Sequence, residues 1–144
     1  MLSVLQLTRH YFSEVWVQAN PALKTRAPTE DYDIAIHSSK ETLDAQGHWH
    51  LAVTVVLSES KKEAPPRYTA KLTVHGDFTL HADVPEDKRS RIVRANGGAL
   101  LLSAAREMLI AVTARSEHGP LELAVFDPRV FLEERPEPSQ PPAA

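Results

Sequence analysis

Residues 99–115 carry only Arg106 and Glu107 as charges before their last position, Arg115, and contain neither proline nor glycine. Such a stretch reads as a helix, and a helix that is apolar on nearly every side has to be buried nearly all round. A bilayer is the other place for it. Seventeen residues is, however, the lower limit for a span, and an Arg-Glu pair at the centre is costly in lipid. A protein interior is therefore expected, and the rest of the chain has to supply one.

The preceding sequence changes period from helical to alternating. From Arg67 to Leu80, the residues Tyr68, Ala70, Leu72, Val74, Gly76, Phe78 and Leu80 alternate with polar neighbours, the pattern of a strand buried on one face. Residues 48–59 repeat it with Trp49, Leu51, Val53, Val55 and Leu57, and the turn-length connection through Pro65 and Pro66 makes the two an antiparallel pair. Tyr32, Ile34 and Ile36 mark a shorter strand over 31–38. Residues 2–19 form another, whose apolar parity changes around Tyr11 and Phe12, so a bulge is expected there. The expected fold is α+β: a four-stranded antiparallel sheet with a long C-terminal helix packed on it.

A short basic helix is expected over 86–95, with Asn96-Gly97-Gly98 read as its stop. Residues 121–125 read as extended, and Asp127-Pro128 as an N-cap with proline at the first helical position, opening a short helix through 134. Eleven prolines punctuate the chain, four of them in the last ten residues. The division is a domain over 1–134 and a disordered proline-rich tail over 135–144.

One sheet covers one side of the 99–115 helix. Each large apolar side chain left in water on the other side forgoes about 1.5–3 kcal/mol, against a total stability of only ~5–15 kcal/mol for a domain. Self-association is the expected remedy.

Composition closes off several functions. The chain of 144 residues has 16 basic and 19 acidic side chains, a net charge of −3, which gives no nucleic-acid footprint. It has no cysteine, which excludes disulfides, thiolate metal sites and cysteine nucleophiles. Residues 1–9 do not read as a secretory leader, so the cytoplasm is the expected compartment. His48 and His50, with His37 or His75, form the one arrangement that could offer imidazoles to zinc, but exposed histidines are the better reading and no metal is expected. Arg106 and Glu107 are adjacent and so point about 100° apart on a helix, which argues against an acid-base pair. Lys88, Arg89, Arg91 and Arg94 read as a solvated face. No catalytic residue and no cofactor is expected, and the chain reads as a non-enzyme.

The order of these segments resembles the SecB family of protein-export chaperones from Leu5 to Leu132. Leu5-Gln-Leu-Thr-Arg-His-Tyr-Phe-Ser-Glu-Val-Trp-Val-Gln-Ala-Asn-Pro21 is similar to that family's first strand, and Asp33-Ile-Ala-Ile36 to its second. Ala105-Arg106-Glu107 with its apolar helix, then Leu121-Glu-Leu-Ala124 and Val125-Phe-Asp127, resemble its helix and the extended segment that follows. The resemblance implies a Greek-key sheet and a homotetramer built as a dimer of dimers. It implies ATP-independent holding of unfolded, extended client polypeptides in apolar grooves, which keeps them competent for export.

Carried over by position, Tyr32, Ile34, Ile36, Val130 and Phe131 would line the client groove. Ala70, Leu72 and Val74, with Leu102 and Leu109, would form the oligomer interface, so Leu72→Arg is expected to dissociate the assembly without unfolding the subunit. The family's partner SecA docks on an acidic sheet face. Here Lys71 and Gln18 stand at positions that are acidic in the family while Glu14 remains, which weakens the case for SecA. A SecB-like chaperone dedicated to a narrow client, such as the antitoxin of a toxin-antitoxin pair, is one alternative. A hot-dog-like thioesterase or small-ligand binder, with Glu107 as its base, is another, and an assembly module without a client groove a third.

Overall fold

The computed structural model describes residues 1–21, 32–59 and 66–133; the connection at 60–65 and the tail at 135–144 lie outside them. The strands are β1 (Leu5–Ala19), β2 (Tyr32–Ser38), β3 (Thr42–Leu43), β4 (Trp49–Glu59) and β5 (Tyr68–Leu80). All pair antiparallel, in the order β1-β5-β4-β2, with β3 also on β4.

The sheet thus has five strands where four were expected. The fifth is a two-residue strand that arises because the Asp44 carboxylate accepts the backbone N–H groups of Gln46 (2.9 Å) and His48 (2.8 Å). Gly47 takes φ +83° in the same turn, a conformation that suits glycine, and the chain folds back as a hairpin. β1 slips register against β5 twice, between Leu7 and Arg9 and between Phe12 and Glu14. The second slip falls where the parity change placed a bulge.

The helix departs from expectation. Asn96-Gly97-Gly98 does not stop it: α1 (Glu86–Ile92) passes through a wide π-type turn (Val93–Gly97) directly into α2 (Gly98–Thr113). By length and composition the whole rod, Glu86–Thr113, could cross a membrane, but here it lies on the sheet. Its glycines serve close approach. A Cβ on Gly97 would stand 3.1 Å from the Phe78 ring, one on Gly98 2.6 Å from the Phe131 ring, and one on Gly76 of β5 2.7 Å from Leu101. The rod rests on Phe78 because Gly97 and Gly76 carry no side chain, and Phe131 closes on the rod because Gly98 carries none.

One face of the sheet meets the rod. Leu51, Val53, Val55 and Leu57 of β4 and Tyr68, Ala70, Leu72, Val74 and Phe78 of β5 are enclosed against Leu101, Ala105 and Leu109. At roughly 25 cal/mol per Å² of apolar surface, this layer is the main stabilising term.

The other flank of the rod is covered from within the chain. The Leu121 N–H donates to Thr113 Oγ1 (2.8 Å), Arg106 Nε donates to the Leu123 carbonyl (3.1 Å), and Phe131 sits on Gly98. Residues 119–131 therefore run back along α2 as a strap, with Leu121, Leu123 and Phe131 buried. Tyr68 anchors its start, donating its hydroxyl to the Gly119 carbonyl (2.7 Å) and accepting the His118 N–H (3.1 Å). A 3₁₀ turn (Pro128–Leu132) closes it, capped by Asp127, whose carboxyl is pulled down to about 2 chiefly by the hydrogen bond from the Arg129 side chain.

On α2 the exposed positions are the stripe Leu100, Ser103, Glu107 and Ala111, in which Leu100 is the one large apolar side chain, while Met108, Ile110 and Val112 are half-buried. The expectation of a broad wet apolar flank is corrected: the strap, read as a separate extended segment, is the cover.

Candidate functional site

The residues expected to line a groove fall in two places. Ile34 and Ile36 lie on β2, opposite Leu57 and Val55 of β4; Tyr32 heads the same strand, opposite Glu59. Among the described residues β2 is an edge strand, and the rod packs over β4, β5 and β1. Ile36 is nonetheless buried, and Ile34 is half-buried. Val130 and Phe131 lie instead on the 3₁₀ turn at the Gly97-Gly98 bend of the rod. Phe131 is core, while Val130 is half-buried. Trp49, Met108 and Phe126 are likewise half-buried around the core. These side chains, in two places around the core, are together called its apolar margin.

Ala70, Leu72, Val74, Leu102 and Leu109 are all at most 4% exposed within the single chain. They are already enclosed by the rod, the sheet and the strap, so the surface left for a second chain is elsewhere. Alternation identifies a buried face without saying what buries it, and here the same chain does. One open patch lies at the junction of β1 and the rod, a recess of about 330 Å³ lined by Ser3, Leu5, Asn96, Ala99, Leu100 and Ser103.

The opposite face of the sheet is open and mostly polar. Trp16, Val56, Thr69 and Lys71 line a shallow groove of about 540 Å³, with Lys71 Nζ 3.2 Å from Glu14 Oε2 across β1 and β5. Lys71 thus neutralises Glu14 on this face.

The same face carries a side-chain relay that the sequence reading did not find. His50 Nδ1 lies 2.8 Å from Asp77 Oδ1, His50 Nε2 lies 3.2 Å from His75 Nδ1, and His75 Nε2 lies 2.9 Å from Ser13 Oγ. Burial first, then the neighbouring His50, holds His75 below the ordinary histidine range, with Asp77 opposing. His75 had been considered as a zinc ligand. The signal that joins these four residues is the β1-β5-β4 register, which spacing along the chain does not show. His48 goes instead to Asp44 in the β3–β4 turn (3.4 Å). Among the described residues no group of three or more histidine, aspartate or glutamate side chains is placed to hold a metal.

Arg106 and Glu107 part company. Arg106 is bound to the strap, whereas Glu107 lies on the rod's exposed stripe, where the thioesterase reading requires an enclosed base. Of the basic run, Arg89 donates to the Val84 carbonyl (2.9 Å) and Arg94 pairs with Glu41 (3.6 Å).

No protein-family model and no curated protein matches the sequence. Solved structures do. The SecB-like chaperone Rv1957 of Mycobacterium tuberculosis, in complex with a ChAD peptide from the Rv1956 HigA1 antitoxin, superposes with a TM-score of 0.60 at 17% identity, over 85% of this chain and 88% of that one. The fold is SecB-like. A protein of unknown function from Streptococcus agalactiae is also similar, at a TM-score of 0.41 and 11% identity over 83% of this chain and 96% of that one.

Proposed function

We propose that this chain is a SecB-like molecular chaperone that holds unfolded, extended polypeptides on its apolar margin without nucleotide or cofactor and keeps them export-competent. The observation that carries the reading is the likeness in fold, over most of both chains, to a SecB-like chaperone solved with a peptide bound. The margin supports it. Ile34, Val130 and Trp49 are half-buried beside the rod, and β2 has an edge whose main chain can pair with an extended segment. Tyr32, Ile34, Ile36, Val130 and Phe131 remain the proposed lining, with Ile36 and Phe131 as its floor.

A dedicated client is the second reading, favoured because the neighbour's peptide comes from an antitoxin. A cytoplasmic location and a homotetramer built as a dimer of dimers belong to the same proposal. We place the contact between chains on the open patch around Leu100, Ala99 and Ser103 rather than on core residues, and read the strand order as a Greek key. The Glu14–Lys71 pair leaves SecA the weakest of the proposed partners.

The test is native mass spectrometry with and without a reduced, unfolded client. A tetramer that takes up client, and takes up less after Ile34→Ala with Val130→Ala, is expected. A protein that ignores unfolded chains of every kind, an antitoxin segment included, contradicts the proposal.

A further inference from the structure

The relay on the open sheet face ties three strands together at one point. Tyr11 of β1 lies opposite His75 of β5 and stacks flat on it, centroids 4.8 Å apart and planes 2° from parallel; the Arg9 guanidinium lies 4.8 Å over the same Tyr11 ring. Ser13 bonds to the far nitrogen of His75, and His50 of β4 joins His75 to Asp77. The β1 segment so held, residues 9–12, is bounded by the two register slips. Bulges leave residues unpaired and weaken the ladder locally, and among the described residues β1 has a sheet neighbour on one side only.

We propose that Asp77, His50, His75 and Ser13 form an acid-operated latch that fastens the middle of β1 to the sheet while at most one of the two histidines is charged, and releases it when both are.

Proton counting carries the argument. A hydrogen bond between two imidazole nitrogens holds one proton. With both rings neutral, His50 Nδ1–H donates to Asp77, His75 Nδ1–H donates to His50 Nε2, and the Ser13 hydroxyl donates to His75 Nε2. One added proton leaves the chain of bonds whole with its sense reversed: His50 Nδ1–H still donates to Asp77, His50 Nε2–H to His75 Nδ1, and His75 Nε2–H to Ser13. A second proton puts N–H groups on both nitrogens of the 3.2 Å contact, destroys that bond and sets two cations against each other.

The surrounding charges are placed to sharpen this. On β1, Arg9 stands behind Tyr11, and Glu14 is engaged by Lys71 of β5. Among the described residues of β4 and β5, only Asp77 faces the pair as an anion in direct contact, and Arg9 of β1 lies opposite it in register. On β2, His37 lies opposite Thr54, the next outward position along β4 from Ala52, which faces His75. The depressed His75 fits this order of protonation. Because the folded chain binds the second proton more weakly than the unfolded one, the latch is complete above the ordinary histidine value of 6.5 and is lost as pH falls below it. Release of the middle of β1 would uncover its own rod-side side chain Phe12 and the Val74 it pairs with.

The test is hydrogen exchange of the full-length protein from pH 7.5 to 5, corrected for the intrinsic rate at each pH. Protection of residues 8–14 is expected to fall at least tenfold while that of 51–57 holds. His75→Gln can bond to both His50 and Ser13 but gains no proton, and it should abolish the fall. A flat wild-type profile, or the same fall in His75→Gln, overturns the latch. His50→Gln supplies the second readout: the His75 ring resonances should titrate at higher pH than in the wild type, and an unmoved or lowered midpoint overturns it equally.

Discussion

The two faces of the sheet are made by the same strands, residue by alternate residue, yet different forces hold them. On the rod side Leu51, Val53, Val55, Leu72, Val74 and Phe78 are sealed from water, and stability there comes from burial. On the open side Thr54 and Thr73 share a hydroxyl hydrogen bond (3.0 Å), Lys71 meets Glu14, and His50 and His75 relay between Asp77 and Ser13. These polar ties sit in a solvent-screened setting, where each contributes little to stability but responds to pH and salt. One face therefore determines whether the chain folds, and the other can be tuned without unfolding it.

Leu72→Arg tests that division hardest. Leu72 is fully enclosed in the single chain, so the substitution should abolish the cooperative unfolding transition, because a buried unpaired charge costs several kcal/mol. A folded, merely dissociated subunit would return Leu72 to an interface. Gly98→Leu comes next, since a side chain there collides with the Phe131 ring. Overpacking should lower the unfolding free energy by about 1–3 kcal/mol and raise proteolysis of the strap before that of the sheet. Tyr68→Phe removes the hydroxyl that anchors the strap to Gly119 and His118, and denaturant titration should register a loss of about 1–3 kcal/mol. Lys71→Ala, on the open face next to Leu72, should change stability by under ~1 kcal/mol. If the Lys71 and Leu72 variants proved equally harmful, the contrast between the faces would be lost.

The alternation of β4 and β5 was legible because a period of two is a local property, and so was the apolar helix. Three features were not. β3 is too short to carry a period and exists because Asp44 and Gly47 make a turn. Gly97 and Gly98 looked like a stop because glycine often ends helices; their use against Phe78 and Phe131 depends on residues about 20 and 30 positions away in the sequence. The strap hid the largest error, since Leu121 and Leu123 show no pairing pattern and their burial follows from hydrogen bonds to Thr113 and Arg106. Of the groove residues, sequence position identified Ile34 and Val130 as apolar, but the difference between margin and core needed the fold.

The holding role itself is tested most directly by light scattering as a chemically unfolded client is diluted into buffer containing an equivalent of this protein and no nucleotide. The account predicts that aggregation is suppressed, and that the suppression weakens when Ile34 and Val130 are both replaced by alanine. Aggregation that proceeds at the same rate with and without the well-folded protein, for general and antitoxin-derived clients alike, would contradict it.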